Sequence, residues 1–125
     1  MARLRPIGEA FRSKEFDQCL ASLRELWAEI PESKAEVPNA YLILEYAVAI
    51  AFKLGDLDEA KAWSDLAPQF MEKRQDVGEI EFLMGKVAFE RGEFDSARKK
   101  FLDANRKSKG RAFQGENPEY RRLLR

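Results

Sequence analysis

Apolar residues recur at intervals of three and four along most of this chain. Leu20, Leu23 and Leu26 show the spacing in one stretch, and Phe101 and Ala104 show it in another. Such spacing places apolar side chains on one side of an α-helix and polar side chains on the opposite side. The pattern predicts an all-α fold. The predicted helices cover about residues 5–13, 17–30, 38–54, 58–72, 77–91 and 95–108.

An internal repeat joins these helices in pairs. Each of three copies has Ala-Phe before a turn residue, an acid directly after it, then a large apolar residue and Asp, and a small residue five positions after the turn. The turn residues are Lys14, Gly55 and Gly92, and the small residues are Cys19, Ala60 and Ala97. Glycine readily takes the left-handed conformation that ends a helix, and small residues let two helix axes approach closely. The repeat therefore predicts three helical hairpins.

The same repeat predicts how each second helix begins. Asp follows the turn by three residues in every copy, as Asp17, Asp58 and Asp95. Because Asp is among the preferred N-cap residues, we expect these side chains to cap the second helices.

Two proline positions modify the pattern. Pro68 lies inside the predicted second helix of the second hairpin, where a proline removes a hydrogen bond and clashes with the carbonyl four residues earlier. We expect that helix to kink or end near Ala67. Near the carboxyl end, Asn117-Pro118-Glu119 has the order of an N-cap, a first-turn proline and a first-turn acid, which predicts a short seventh helix. Phe113, Tyr120 and Leu124 would then cover the last hairpin.

These residues resemble the tetratricopeptide repeat family, whose pattern places Gly, an acid, an aromatic residue, Asp and Ala around the internal turn. The third copy, residues 78–105, matches best, with Gly85 at the small position of its first helix. The resemblance implies three antiparallel helix hairpins stacked as a short right-handed α-solenoid with a carboxyl-terminal capping helix, in a single domain of 125 residues. The implied repeats span about residues 4–30, 38–73 and 77–109, followed by a capping segment at 110–125. The turns lie 41 and 37 residues apart (14 to 55, 55 to 92), further than the usual 34 or so.

In this family the first helices of the hairpins line a concave groove that receives a protein or peptide. The resemblance implies a partner-binding groove formed by Leu42, Glu45, Tyr46, Ala49, Lys53, Phe82, Leu83, Lys86 and Glu90. Phe11, Phe52 and Phe89 recur in all copies, which is more typical of packing between hairpins. The family's clamp for a chaperone's terminal carboxylate is not matched, since its positions hold Leu4, Gly8, Tyr46, Glu79 and Leu83. The expected function is non-enzymatic binding of a protein or peptide, as an adaptor, scaffold or chaperone-like factor.

Two other functions compete with this one. Residues 98–125 hold ten Lys or Arg against three acids, and Phe113 and Tyr120 could stack on bases, so nucleic-acid binding through Arg106, Lys107 and Arg111 is an alternative. Self-association into a homodimer is the other, because the first copy matches the pattern poorly and could expose Leu4, Ile7 and Phe11.

Composition argues against catalysis. The chain has no His and a single Cys, so the common metal sites and the pairing of a nucleophile with a histidine base lack their residues, and no cofactor is expected. Cys19 stands at a small framework position and is interpreted as a buried structural thiol. A lone Cys favours a reducing cytoplasm, and the longest apolar run, residues 47–52, is too short to span a bilayer, so a soluble protein without a membrane partner is expected. Lys plus Arg (22) equals Asp plus Glu (22).

Overall fold

A computed structural model of the chain describes residues 15–31, 34–37, 39–71 and 78–124. Every regular element in those ranges is helical, which confirms the predicted all-α class. The α-helices are α1 (Phe16–Glu29), α2 (Ala40–Leu54), α3 (Leu57–Ser64), α4 (Glu79–Glu90), α5 (Phe94–Ser108) and α6 (Pro118–Arg122). Short 3-10 turns occupy Lys34–Glu36, Ala67–Phe70 and Arg111–Phe113. The helix predicted over residues 5–13 lies outside the described residues, as do Lys14, Leu4, Ile7, Gly8 and Phe11.

The chain divides into two compact units, Met1–Trp63 and Ser64–Arg125. In the first unit α1 packs against α2. The buried side of α1 carries Cys19, Leu20, Leu23 and Leu26, at the helical spacing that the sequence shows. Burial of a leucine side chain of this kind contributes about 1.5 to 3 kcal/mol, so this one face supplies much of the stability of α1.

Polar and aromatic contacts connect α1 to α3 in the same unit. The Trp27 and Trp63 rings meet edge to face, with centroids 6.1 Å apart. Glu59 accepts a hydrogen bond from the Trp63 indole at 3.0 Å, and it also pairs with Arg24 at 2.6 Å. Lys34 lies over the Trp27 ring at 5.1 Å and donates to the carbonyls of Trp27 and Ile30. Carbonyl groups at the end of α1 are thereby satisfied.

Two of the predicted turns have the same backbone geometry. Gly55 and Gly92 are left-handed, with φ of 72° and 79°. After Gly55, the Asp56 N–H donates to the Ala51 carbonyl at 2.9 Å. After Gly92, the Glu93 N–H donates to the Ala88 carbonyl at the same distance, 2.9 Å. Both turns are therefore Schellman motifs, and the predicted role of the two glycines is confirmed.

The prediction for the N-caps is wrong. The N-cap residues of α1 and α5 are Glu15 and Glu93, with nearly equal backbone angles (φ −90°, ψ 63° and φ −88°, ψ 69°). Before α3, it is the Asp56 Oδ1 that accepts a hydrogen bond, from the Glu59 N–H at 3.0 Å. The connection in each copy is shorter than expected, since the second helix starts at the large apolar residue, two positions after the turn residue. Asp17, Asp58 and Asp95 therefore lie within the first turn, where an acid favours the positive helix terminus.

Pro68 ends the second helix of the second hairpin, as predicted, but three residues earlier than expected. Helix α3 stops at Ser64, and a 3-10 turn begins at Ala67 with Pro68 in its first positions. The clash of a proline ring falls on the carbonyl four residues back, which here is that of Ser64. The proline also lacks the N–H that would bond this carbonyl, so the regular helix cannot continue through the segment.

In the second unit, α4 and α5 form a tightly packed hairpin. A Cβ added at Gly85 would lie 2.6 Å from two ring atoms of Phe101, so only glycine fits this crossing. Phe101, Phe82, Phe113 and Tyr120 form an aromatic cluster with Ala97 and Ala104. The predicted capping helix α6 is present, and Asn117 Oδ1 accepts its cap bond from the Glu119 N–H at 3.0 Å. Phe113 and Tyr120 are buried and Leu124 packs against the cluster, as predicted.

Candidate functional site

Helix α2 has one fully buried side and one accessible side. Its buried positions are all apolar or aromatic, namely Ala40, Tyr41, Ile43, Leu44, Ala47, Val48, Ile50 and Ala51. Among the nine predicted groove residues, the five on α2 lie on the other side: Leu42, Glu45, Tyr46 and Ala49 are half-buried and Lys53 is exposed. The first half of the predicted site is thus brought together on one helix.

The accessible stripe of α2, which consists of these five residues, has a defined chemistry. Leu42, Tyr46, Ala49 and Lys53 follow one another at intervals of four, three and four residues, so they share one side of the helix. At a rise of 1.5 Å per residue the stripe is about 16 Å long. Tyr46 supplies an apolar ring with a polar tip in its middle, and Lys53 places a positive charge at its carboxyl end. Such a surface can hold a short segment of another chain.

The four predicted residues on α4 lie in a different environment. Phe82 and Leu83 are buried, with exposed fractions of 5% and 4%. The Phe82 ring contacts Phe113 edge to face, with centroids 5.0 Å apart, and Phe101 at 5.4 Å. The family resemblance implies that Phe82 is a groove residue, but it belongs to the aromatic core of the second unit. The helical pattern of α4 alone does not reveal this, because the covering residues come from a segment about 30 positions further along the chain.

That segment, residues 111–124, also engages the two polar predicted residues. Lys86 Nζ lies 5.3 Å from the centre of the Phe82 ring and 3.9 Å from Glu116 Oε1. Glu90 Oε1 accepts a hydrogen bond from the Tyr120 hydroxyl at 3.0 Å. Burial, followed by the hydrogen bond from the phenol to Glu90, raises the pKa of Tyr120 above its usual range. The structure therefore brings Phe82, Lys86 and Glu90 together, with the chain's own carboxyl-terminal segment packed against them.

The basic carboxyl-terminal region uses several of its cations internally. Lys107 Nζ lies 2.5 Å from Oε1 of Glu81, a carboxylate that is only 3% exposed. Arg106 pairs with Asp103 at 3.5 Å, and Arg122 pairs with Glu119. Arg121 lies 5.1 Å above the Phe113 ring and donates to the Gly110 carbonyl. Of the three residues considered for nucleic-acid binding, Arg106 and Lys107 are thus in ion pairs, and Arg111 is exposed.

The chain has a single thiol, that of Cys19. Cys19 is buried, with 1% of its surface exposed, and burial raises the pKa of its thiol. This position agrees with the interpretation as a structural thiol. Within the described residues no three His, Cys, Asp or Glu side chains form a group that could hold a metal ion. In the same part of the chain, no helix has both the length and the apolar character needed to cross a bilayer.

Comparison with known proteins gives no relative. No protein-family description matches the sequence. No curated protein and no solved structure matches it either. The functional interpretation therefore rests on the residues of this chain.

Proposed function

We propose that this chain is a non-enzymatic, cytoplasmic helical-repeat protein that binds a protein or peptide segment, as an adaptor, scaffold or chaperone-like factor. In this proposal its three hairpins stack as a short right-handed α-solenoid of tetratricopeptide type within one domain, and α6 is the cap. Three features support it: the matching Schellman turns at Gly55 and Gly92, the nearly equal backbone angles of Glu15 and Glu93, and the close approach of Gly85 to Phe101.

The accessible stripe of α2 is the observation that carries the binding proposal. Helix α2 is otherwise the most apolar helix of the described residues, and its buried side already packs in the first unit. A helix that served only as core would need no tyrosine between two aliphatic residues on its accessible side. Tyrosine is enriched where proteins bind one another, because its ring buries a large apolar area while its hydroxyl makes a hydrogen bond. A partner segment with an apolar centre and an acid near Lys53 fits this stripe.

The proposed binding surface is narrower than the nine residues that the family resemblance implies. Leu83 is buried, and Phe82, Lys86 and Glu90 are covered or engaged by residues 111–124 of the same chain. A partner would have to displace that segment, together with the burial of Phe113 and Tyr120, to reach them. We therefore assign the binding to the stripe of α2 and a packing role to the α4 residues.

Affinity capture with paired variants tests the proposal. The test variant is Tyr46→Ala with Lys53→Glu, and the matched control is Gln18→Ala with Arg111→Glu, which changes two exposed residues outside α2. Loss of a central tyrosine together with reversal of a charge typically costs at least about 2 kcal/mol of binding, or roughly 30-fold in affinity. The captured protein, once purified, should bind the control as well as it binds wild type and the test variant at least 30-fold less well.

The proposal fails if the test variant keeps wild-type helical content and still binds the captured protein with wild-type affinity. Phe82→Ala is unsuitable for this purpose. Truncation of a buried phenylalanine costs about 3 to 5 kcal/mol of stability, so a loss of binding would not be separable from a loss of folding.

A further inference from the structure

The outer side of α5 carries a large apolar side chain framed by cations. Leu102 is 40% exposed. Arg98 and Arg106 lie four residues before and after it, so they flank it on the same side of the helix, and Lys99 lies next to them. All three cations are exposed. Arg106 pairs with Asp103 at 3.5 Å, but the two side chains are 70% and 53% exposed, so this ion pair is weak and readily exchanged.

The outer side of α1 has the complementary pattern. Asp17, Ala21 and Glu25 are exposed and follow one another at the same interval of four residues. Acids therefore stand where α5 has arginines, and a small side chain stands where α5 has a leucine. In both helices the two charges are eight residues apart, which corresponds to about 12 Å along the axis. The outer sides of α1 and α5 are therefore complementary in the sign of their charges, in the size of the central side chain and in the spacing of the charged residues.

Charge is also distributed unevenly along the chain as a whole. Residues 98–124 hold nine Lys or Arg and three acids, whereas the described residues 15–31 hold four acids and one Arg. The totals of 22 and 22 leave no net charge, so two copies of the chain do not repel each other overall. Segregated opposite charges on a neutral chain favour contact between unlike surfaces of two copies.

We propose that the outer side of α1 in one copy docks on the outer side of α5 in a second copy. Leu102 packs over Ala21, and Asp17 and Glu25 pair with the two arginines of the neighbouring copy. Because each helix carries its two charges symmetrically about the central residue, these contacts form with the helices parallel or antiparallel. The interface joins two different surfaces, so it is of the head-to-tail type. A contact of this size is weak, with a dissociation constant of roughly 0.1 to 1 mM, and it weakens as salt rises.

Sedimentation equilibrium with charge-reversed variants tests the interface. The mass of the wild-type protein should rise above 14.4 kDa as its concentration increases at low salt, and return to that value in about 0.5 M salt. Arg98→Glu with Arg106→Glu should remain monomeric, and so should Asp17→Arg with Glu25→Arg. An equimolar mixture of these two variants should regain association within about threefold of wild type, because each reversed surface then meets a reversed partner surface. The control Arg111→Glu with Arg122→Glu changes two exposed charges outside α5 and should behave as wild type.

Three outcomes would overturn the proposal. The first is a wild-type mass that stays at 14.4 kDa over the whole concentration range. The second is association that persists in either charge-reversed variant, and the third is a mixture that does not regain it. Helical content measured by circular dichroism checks that the variants fold. If a charge-reversed variant does not fold, the variant Leu102→Ser tests the interface in its place. It keeps every charge and should weaken the association at least about fivefold.

Discussion

Gly85 offers a direct test of how closely α4 and α5 pack. Replacing it by Ala would put a methyl carbon 2.6 Å from Cδ1 and Cε1 of Phe101 and 3.3 Å from Cβ of Lys100. The Phe101 ring has little room to move away, because it is fully buried and its centroid lies 5.4 Å from that of Phe82 and 5.6 Å from that of Phe113. Relief of the clash therefore requires a shift of the helix backbone or of the whole aromatic cluster.

Two opposing effects set the change in unfolding free energy for Gly85→Ala. Alanine is favoured over glycine in a helix by about 1 kcal/mol. Overpacking of a core costs about 1 to 3 kcal/mol, and the confinement of the Phe101 ring places this site in the upper part of that range. The net expectation for Gly85→Ala is a loss of about 1 to 2 kcal/mol of unfolding free energy, which corresponds to a fall of roughly 4 to 8 °C in Tm.

Urea and thermal unfolding followed by circular dichroism measure this change. The matched control is the double variant Gly85→Ala with Phe101→Leu, in which the narrower side chain removes the clash. Its loss should be smaller than the sum of the two single losses by about 1 to 2 kcal/mol. If Gly85→Ala raised the Tm, the helix preference would dominate, and the close crossing of α4 and α5 would be wrong.

Three further predictions concern individual contacts. Lys107→Ala should lower the unfolding free energy by about 3 kcal/mol or more, because it leaves the buried Glu81 carboxylate unpaired. Arg106→Ala removes only an exposed ion pair and should cost under about 1 kcal/mol. Urea unfolding compares the two variants, and equal losses would contradict the burial of Glu81. Asp56→Ala should lower the unfolding free energy by about 1 kcal/mol, and Asp56→Asn should lower it much less, since Asn keeps the capping oxygen. An equal loss of unfolding free energy in both variants would argue against Asp56 as the cap of α3. The raised pKa of Tyr120 means that folding favours the protonated phenol, so its stabilisation is complete below the ordinary tyrosine pKa of about 10 and is lost as pH rises above that value. The stability advantage of wild type over Tyr120→Phe should therefore be constant up to about pH 9 and shrink between about pH 10 and pH 12. Urea unfolding at a series of pH values measures it, and a difference that stays constant across that upper range would contradict this.

The hairpin turns and most helix limits are predictable from the sequence because they depend on local chemistry. Gly55 and Gly92 supply the left-handed residue of each turn. Pro68 prevents α3 from continuing as a regular helix, and Asn117 caps α6 through its own side chain. Each of these effects acts within about four residues, so the residue types determine the outcome.

Each N-cap lies two residues earlier than the sequence predicts, and the reason is physical. Asp is intrinsically a better cap than Glu, so the residue types favour Asp17 and Asp95. The tight turn instead places the cap directly after the turn residue, because a single residue separates the turn residue from the helix. Glu15 and Glu93 thus occupy the cap position although neither makes a side-chain cap bond.

The candidate site likewise has one part that the sequence predicts and one part that it does not. The stripe on α2 follows from helical spacing, and its five residues do share one accessible side. The environment of Phe82 depends on Phe113 and Tyr120, which are distant in sequence, so spacing within α4 cannot supply it. The arrangement of the three hairpins as a solenoid stays a prediction.

Site-specific photo-crosslinking tests the binding proposal most directly. A photoreactive phenylalanine analogue is placed at position 46 on α2, and a control is placed at the exposed position 18 on α1. Illumination in cells that produce the protein should yield one dominant crosslinked protein from position 46, and the yield should fall when Lys53→Glu is added. No crosslink at position 46, or the same products from positions 46 and 18, would contradict the assignment of partner binding to α2.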